Sequence, residues 1–312
     1  MNKFIFSVGL FLLISAPQLC SSLELGVRPR LNTGFQYYEY NQDNFTSNGL
    51  ISSTASSIEF SDYVPFVSGG LTLFIDRFFI DGFVQYSFEG QDMNQVTTNN
   101  FVRSFGPGIT NTSINTQSQF DVNFDRLEYS FSVGYAITDQ IVAYAGYKKA
   151  HTKFDAALQN GSVNSFTSNI PNPLLSGRLF GRVNLDYIYD GAFVGGAYSH
   201  NIDFGFLHGA LNANVAVAFL EGNVDVEYRS LQFINQFGVS QNVNIDSVFN
   251  LQDLKGDTIG VSAGLSWNGL TTIDGLNYLI GVNGYHYEFD GNNLPNFSET
   301  VVRVDFGLSF TF

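Results

Sequence analysis

Apolar and polar residues alternate with a period of two along most of this chain, most clearly in its last segment. From Val302 the even positions are Val302, Val304, Phe306, Leu308, Phe310 and Phe312; the odd ones are Arg303, Asp305, Gly307, Ser309 and Thr311. A period of two places successive side chains on opposite faces of an extended strand. One face here is wholly apolar and the other polar or small. The pattern recurs: Leu25, Val27, Leu31, Thr33, Phe35 and Tyr37 alternate with Arg28, Arg30, Asn32, Gly34 and Gln36. Leu127 to Ile137 alternates with Arg126, Glu128, Ser130, Ser132 and Gly134, and Leu179, Val183, Leu185 and Tyr187 with Arg178, Arg182, Asn184 and Asp186. Val224, Val226 and Tyr228 oppose Asp225, Glu227 and Arg229, and Ile259 to Trp267 opposes Gly260, Ser262, Gly264 and Ser266.

Connections alternate as well. Short turns are expected near Asp76-Arg77, Thr138-Asp139-Gln140, Asp190-Gly191, Gly222-Asn223 and Gly269–Asp274, where Gly, Asn and Asp punctuate the strands. Longer polar stretches fall at Asn41–Asp62, Gln91–Gln119, Thr152–Leu175, Gly238–Gly256 and Asp290–Ser298, with a briefer one near Asn201–Phe206. The spacing predicts about 12 strands in an all-β, closed, antiparallel up-and-down barrel. The weakest strands are those near Ala192–His200 and Val224–Phe237, so ten strands stay open as the alternative.

Composition sharpens this picture. Charged residues make up only 13% of the 312 residues while aromatics reach 16%, and the charged share is about half that of a soluble domain. Such a balance suggests apolar surface facing something other than water. The 14 basic residues are scattered singly, which excludes a nucleic-acid surface. Lys3, the apolar run Phe4–Ile14 and the small residues Cys20 and Ser22 form a signal-peptide pattern with cleavage expected before Leu23. Residues 1–22 are then a leader and 23–312 one barrel domain. The mature chain would lack Cys, excluding a disulfide or thiolate chemistry. Its net charge would be −15 rather than the −14 of the whole chain.

Together, the leader, the alternation of short turns with long loops, and the apolar-alternating last strand ending in Phe312 resemble bacterial outer-membrane β-barrels as a superfamily. The resemblance covers the whole mature chain and implies outer-membrane localisation with both termini periplasmic. It also implies that Val304, Phe306, Leu308, Phe310 and Phe312 form the signal read by the barrel-assembly machinery. Outer-membrane lipid and lipopolysaccharide are the implied surroundings. Physics points the same way, because strands can span hydrocarbon only where a closed barrel pairs every backbone group.

Taking the polar set of each strand as inward, the lumen candidates are Arg28, Arg30, Arg126, Lys148, Arg178, Arg182, Arg229 and Arg303. The acidic ones are Asp81, Glu89, Glu128, Asp186, Asp225, Glu227 and Asp305. Lys148 is assigned inward because a lipid-facing Lys at mid-strand costs about 2–4 kcal/mol. The lumen is therefore expected to be nearly neutral and the acidity to belong to the rims. Arg28 and Arg30 on the first strand face Arg303 and Asp305 on the last, which predicts a cross-seam charge network. Inward Tyr38, Phe79, Phe83, Phe180, Tyr285 and Tyr287 would narrow the bore.

These charges either pair and fill the interior or form a constriction with opposed walls, as in charge-selective pores. The leading expectation is a passive, porin-like channel for small hydrophilic solutes. A closed structural or surface-interaction barrel is the alternative, and a rim hydrolase using His200, Asp203, His208 or His151 comes third. No local pattern of the barrel hydrolases is present, so no catalytic residue is assigned. No cofactor is expected, and no metal-ligand spacing is found. Acidic rim residues Asp43, Glu59, Asp62, Asp246, Asp253, Asp257 and Asp290 suit solvent, or divalent bridging to lipopolysaccharide. The loop Gln91–Gln119 reads as exposed, and as able to fold into the bore.

Overall fold

The computed structural model describes residues 25–42, 51–55, 58–103, 112–167, 170–171, 177–205, 208–228, 232–235, 237, 240–242, 254–291 and 297–312. The leader, Cys20, Asp43, Arg229, Asp246 and Asp253 lie outside them. In chain order the strands are β1 (Leu25–Gln42), β2 (Ile51–Ala55), β3 (Ile58–Ile75), β4 (Phe78–Arg103) and β5 (Thr112–Ala136). Then follow β6 (Ile141–Thr167), β7 (Ile170–Pro171), β8 (Gly177–Asp203), β9 (His208–Tyr228), β10 (Gln232–Asn235) and β11 (Ser240–Asn242). The last three are β12 (Leu254–Leu270), β13 (Leu276–Gly291) and β14 (Phe297–Phe310). Ten of them pair antiparallel in the order β8-β9-β12-β13-β14-β1-β3-β4-β5-β6, and β6 pairs with β8 to close the ring. The short β2, β7, β10 and β11 add to the wall outside this ring.

The barrel therefore has ten strands where twelve were expected. Both missing turns lie inside continuous strands: β8 runs through Asp190-Gly191 and β9 through Gly222-Asn223. Gly222 is there for space rather than for a turn. A Cβ built on it would stand 2.5 Å from Cε2 of the Phe289 ring. An aromatic ring laid over a strand glycine fills what the missing side chain leaves.

Removing two strands also changes which end each connection occupies. Leu25 and Phe312 share one end of the barrel with the short turns at Asp76-Arg77, 137–140 and 271–275. The connection joining Asp203 to its pairing partner His208 is at this terminal end, not among the outer loops. At the loop end the wall is uneven. Strands β4, β5, β6 and β8 have 25–27 residues, whereas β12, β13 and β14 have 14–17. About 9–11 residues suffice to cross a bilayer, so the long strands stand well clear of it. Most of the expected loop Gln91–Gln119 belongs to this extension. Its residues 91–103 and 112–119 pair out to Arg103 opposite Thr112 and continue the wall, and residues 104–111 lie outside the described residues.

Outward residues form an exposed apolar belt that includes Leu31, Phe35, Leu71, Val84, Phe131, Val194, Val215, Ile259, Leu265, Ile280 and Phe306. Across the belt the inward side of the wall is largely polar, as the alternation predicts, with the expected Phe79 and Phe83 and also Tyr144 and Phe193 buried among those residues. Toward the loop end the two faces exchange character. Tyr38, Tyr40, Phe124, Phe154, Tyr187, Tyr189, Tyr287, Phe289 and Phe297 point inward and are buried. Glu39, Lys153, Asp155, Asp186 and Glu288 take the outer face. A wall in hydrocarbon must be apolar outside; once above it, the same wall obeys the rule of a water-soluble protein.

Candidate functional site: the closed layer of the bore

Four buried cations, Arg30, Arg126, Lys148 and Arg303, meet four buried carboxylates, Asp81, Glu128, Glu299 and Asp305. Such charges are tolerated away from water only when paired and hydrogen-bonded. Arg30 forks onto Asp81, with two N–H groups donating at 2.7 Å each, and donates to Thr72 Oγ1 at 2.8 Å. Lys148 Nζ lies 2.8 Å from Glu128 Oε1 and donates to Tyr287 OH at 2.7 Å. Arg126 donates to Glu299, and to Thr152 Oγ1 at 3.0 Å. Arg303 donates to Gln85, whose Nε2 donates to Gln36 Oε1 at 3.0 Å; Gln36 Nε2 in turn donates to Ser87 Oγ at 2.9 Å. Asn283 donates to Asp305. Aromatic faces complete the surroundings: Lys148 Nζ lies 4.8 Å from the Tyr285 centroid and Arg303 5.4 Å from that of Phe66.

Several of these bonds cross the bore. Arg126 on β5 reaches Glu299 on β14 with β4, β3 and β1 between them along the wall. Lys148 on β6 reaches Tyr287 on β13 past β8, β9 and β12. Nearer the loop end the hydroxyls of Tyr40 and Tyr187 meet at 2.9 Å. Their strands stand on opposite sides of the ring, with four strands between them either way. Around this tie, rings pack at centroid separations such as 4.3 Å (Tyr38–Phe124) and 4.4 Å (Phe289–Phe297). Arg126 and Tyr38 are 0% exposed and Lys148 is 1% exposed, so this layer is closed to solvent.

The expected lumen residues divide accordingly. Arg30, Asp81, Arg126, Glu128, Lys148, Arg303 and Asp305 are inward and buried, and Arg28 lies inward near the terminal end, its Nε donating to Thr311 Oγ1 at 3.0 Å. That bond crosses the β1–β14 seam, and of the expected four-charge network there Arg303 and Asp305 lie 3.7 Å apart. Arg30 instead reaches Asp81 on β4, and Arg303 reaches Gln85. Arg182 and Asp186 do not face the lumen. Arg182 Nε pairs with Asp155 at 2.5 Å on the outer wall, and Asp186 lies 3.7 Å from His151. Arg178 and Phe180 are exposed too. The reason is the exchange of faces above the lipid, which turns Tyr187 inward. The side chains of Glu89, Asp225 and Glu227 lie outside the described residues. Glu299 was missed because the polar stretch before it reads as loop. Extending the parity of Arg303 and Asp305 backward by four residues finds it.

Among the other candidates, Val304, Phe306 and Leu308 face outward from β14, and the Phe312 N–H donates to Val27 O at 3.1 Å across the seam. His208 Nδ1 lies 2.9 Å from Asp203 Oδ1 at the terminal end, with His200 exposed nearby. His151 is on the opposite half of the wall, so the four supposed rim residues do not converge.

No protein family and no characterised protein matches the chain by sequence. Among solved structures, the chain is similar to the outer-membrane protease OmpT of Escherichia coli (TM-score 0.58, 10% identity, covering 94% of this chain and 99% of that one). Also found are the autotransporter NalP translocator domain of Neisseria meningitidis (0.32, 9%, 91% and 88%) and the toluene transporter TodX of Pseudomonas putida (0.28, 9%, 90% and 89%). At this identity the OmpT likeness speaks for the fold and not the activity, and the other two scores are too low to argue from. A closed ring of ten antiparallel strands, an exposed apolar belt around it and that shared architecture give this chain the fold of an outer-membrane β-barrel.

Proposed function

We propose that the protein is a closed barrel acting through its outer surfaces, in place of the passive channel expected from its sequence. The observation that carries this reading is the cross-bore layer of Arg126–Glu299, Lys148–Tyr287 and Tyr40–Tyr187, packed to near-zero exposure. A hydrophilic solute would have to displace ion pairs whose partners cannot both find water inside the wall. The long walls of β4, β5, β6 and β8 support a role at the outer surface, since they hold paired strand well beyond the span that lipid needs. Planar-bilayer recording of refolded protein tests the reading. A silent bilayer is expected from protein whose folded state is verified by heat-modifiable gel migration. Stepwise conductance from the unmodified chain would overturn it and restore the channel.

A further inference from the structure

The lipid-facing belt is not uniform around the ring. On β5 its outward positions carry Leu127, Tyr129, Phe131, Val133 and Tyr135, and on β9 Leu211, Val215 and Val217. Between these strands, β6 and β8 present Ala143, Ala145, Ala192 and Gly196, with Val194 among them. Ala143 stands opposite Gly196 and Ala145 opposite Val194 in the ladder, so the small residues are contiguous. The result is a shallow trough flanked by two ridges of large side chains. Convex walls touch along a line, and a recessed line lets the ridges on either side meet as well. Close packing is what holds membrane proteins together, because the lipid around them is equally apolar.

The polar wall just above the trough supplies an independent observation. Its outward residues on β6 are Lys149, His151 and Lys153, and on β8 they are Asp190, Ile188 and Asp186. Lys149 stands opposite Asp190 and Lys153 opposite Asp186, yet both acids turn elsewhere. Asp190 accepts from Tyr147 OH, and Asp186 lies 3.7 Å from His151 Nε2. Among the described residues neither lysine closes an ion pair within the chain. Higher still the signs reverse, with Asp155 on β6 and Arg182 on β8. A two-fold axis along the membrane normal, set before the β6–β8 seam, lays β6 of one copy against β8 of the other. Each cation column then meets an acid column, and Asp155 meets Arg182. Asp125 and Glu221, one strand further out on β5 and β9, lie where the convex walls diverge into water.

We infer that the outer face of β6 and β8 is the interface of a symmetric dimer, its occupant a second copy of this chain seated trough to trough. The inference goes beyond the closed bore and does not depend on it, since it concerns only the lipid-facing wall and the charges above it.

Cross-linking in lipid vesicles tests it, in the full chain carrying Cys20→Ser, which removes the only native thiol. Ala145→Cys places a thiol at the seam, and Val304→Cys places one on β14, on the opposite side of the ring. Oxidation with copper phenanthroline should give a disulfide-linked dimer for position 145 and none for 304. Two charge variants, each also carrying Ala145→Cys, separate pairing between copies from pairing within one. Lys149→Asp, Lys153→Asp makes both columns acidic, and Asp186→Lys, Asp190→Lys makes both basic, so each variant repels its own copy. Each alone should lose the cross-link. A co-refolded mixture of the two should regain it, although no pair within either chain has been restored. Scoring is confined to chains whose heat-modifiable gel migration shows the folded barrel. Absence of the cross-link at 145, equal cross-linking at 145 and 304, or a mixture that stays monomeric would each overturn the dimer. Monomers holding a tightly bound lipid in native mass spectrometry would overturn it too, and would give the trough to lipid.

Discussion

Replacing Arg126 by Met removes one of four buried cations from a layer whose charges balance. Glu128 keeps Lys148 at 2.8 Å, but Glu299 loses the guanidinium that reaches it across the bore. A buried carboxylate stripped of its partner costs about 3–5 kcal/mol, whereas an exposed pair is worth about 0–1. These ranges do not overlap, so the measurement discriminates. The double variant Arg126→Met, Glu299→Leu replaces both charges with apolar side chains of similar length, a change that is often neutral for a buried pair. Equilibrium urea unfolding in lipid vesicles reads the difference. The signals are gel migration and the fluorescence of Trp267, the only Trp, whose Nε1 donates to Tyr278 OH at 3.1 Å. The single variant should lose about 3–5 kcal/mol and the double variant regain most of it, because the cost belongs to the unpaired charge and not to lost attraction. A single-variant loss below about 1 kcal/mol would refute the reasoning. So would a double variant whose loss equals the sum of the two singles.

Asp81→Asn should destabilise the same assay by about 3–5 kcal/mol, since it strips Arg30 of a buried bidentate carboxylate; a shift near zero would mean that the pair is solvated. Leu265→Lys, on the exposed apolar belt, should cost about 2–4 kcal/mol in vesicles if that position lies near the bilayer midplane. Arg182→Ala should change stability by no more than about 1 kcal/mol, because its pair with Asp155 is half-exposed. Gly222→Val should lower stability by about 1–3 kcal/mol through forced movement of the Phe289 ring, read as a lower thermal midpoint.

The burial of Lys148 was legible in the sequence because hydrocarbon penalises a charge wherever the outer wall meets it, and this made parity a reliable guide along β1, β5, β12 and β14. Parity failed on β8 at Arg182 and Asp186. There the wall has left the lipid, so the solvent that sets the sign of the alternation is water. Gly191 and Gly222 misled the strand count for a related reason. A sequence shows that a side chain is missing but not whether a turn or a neighbouring ring requires the gap. Glu299 escaped notice because polar residues before a strand look like loop until the strand's full length is known.

By itself the sequence determined the closed antiparallel barrel, the outward apolar set along β1, β5, β12 and β14, and the near-neutral interior. All three follow from local periodicity and from the cost of exposing polar groups to hydrocarbon. Only the tertiary structure decided that ten strands close the ring and that Arg126 meets Glu299 across it. It also decided that the half-bore toward the loop end is filled with rings from strands on opposite sides of the wall. Those outcomes depend on which residues from distant strands share one level of the bore, and registry around a closed ring is a property of the whole wall rather than of any one strand.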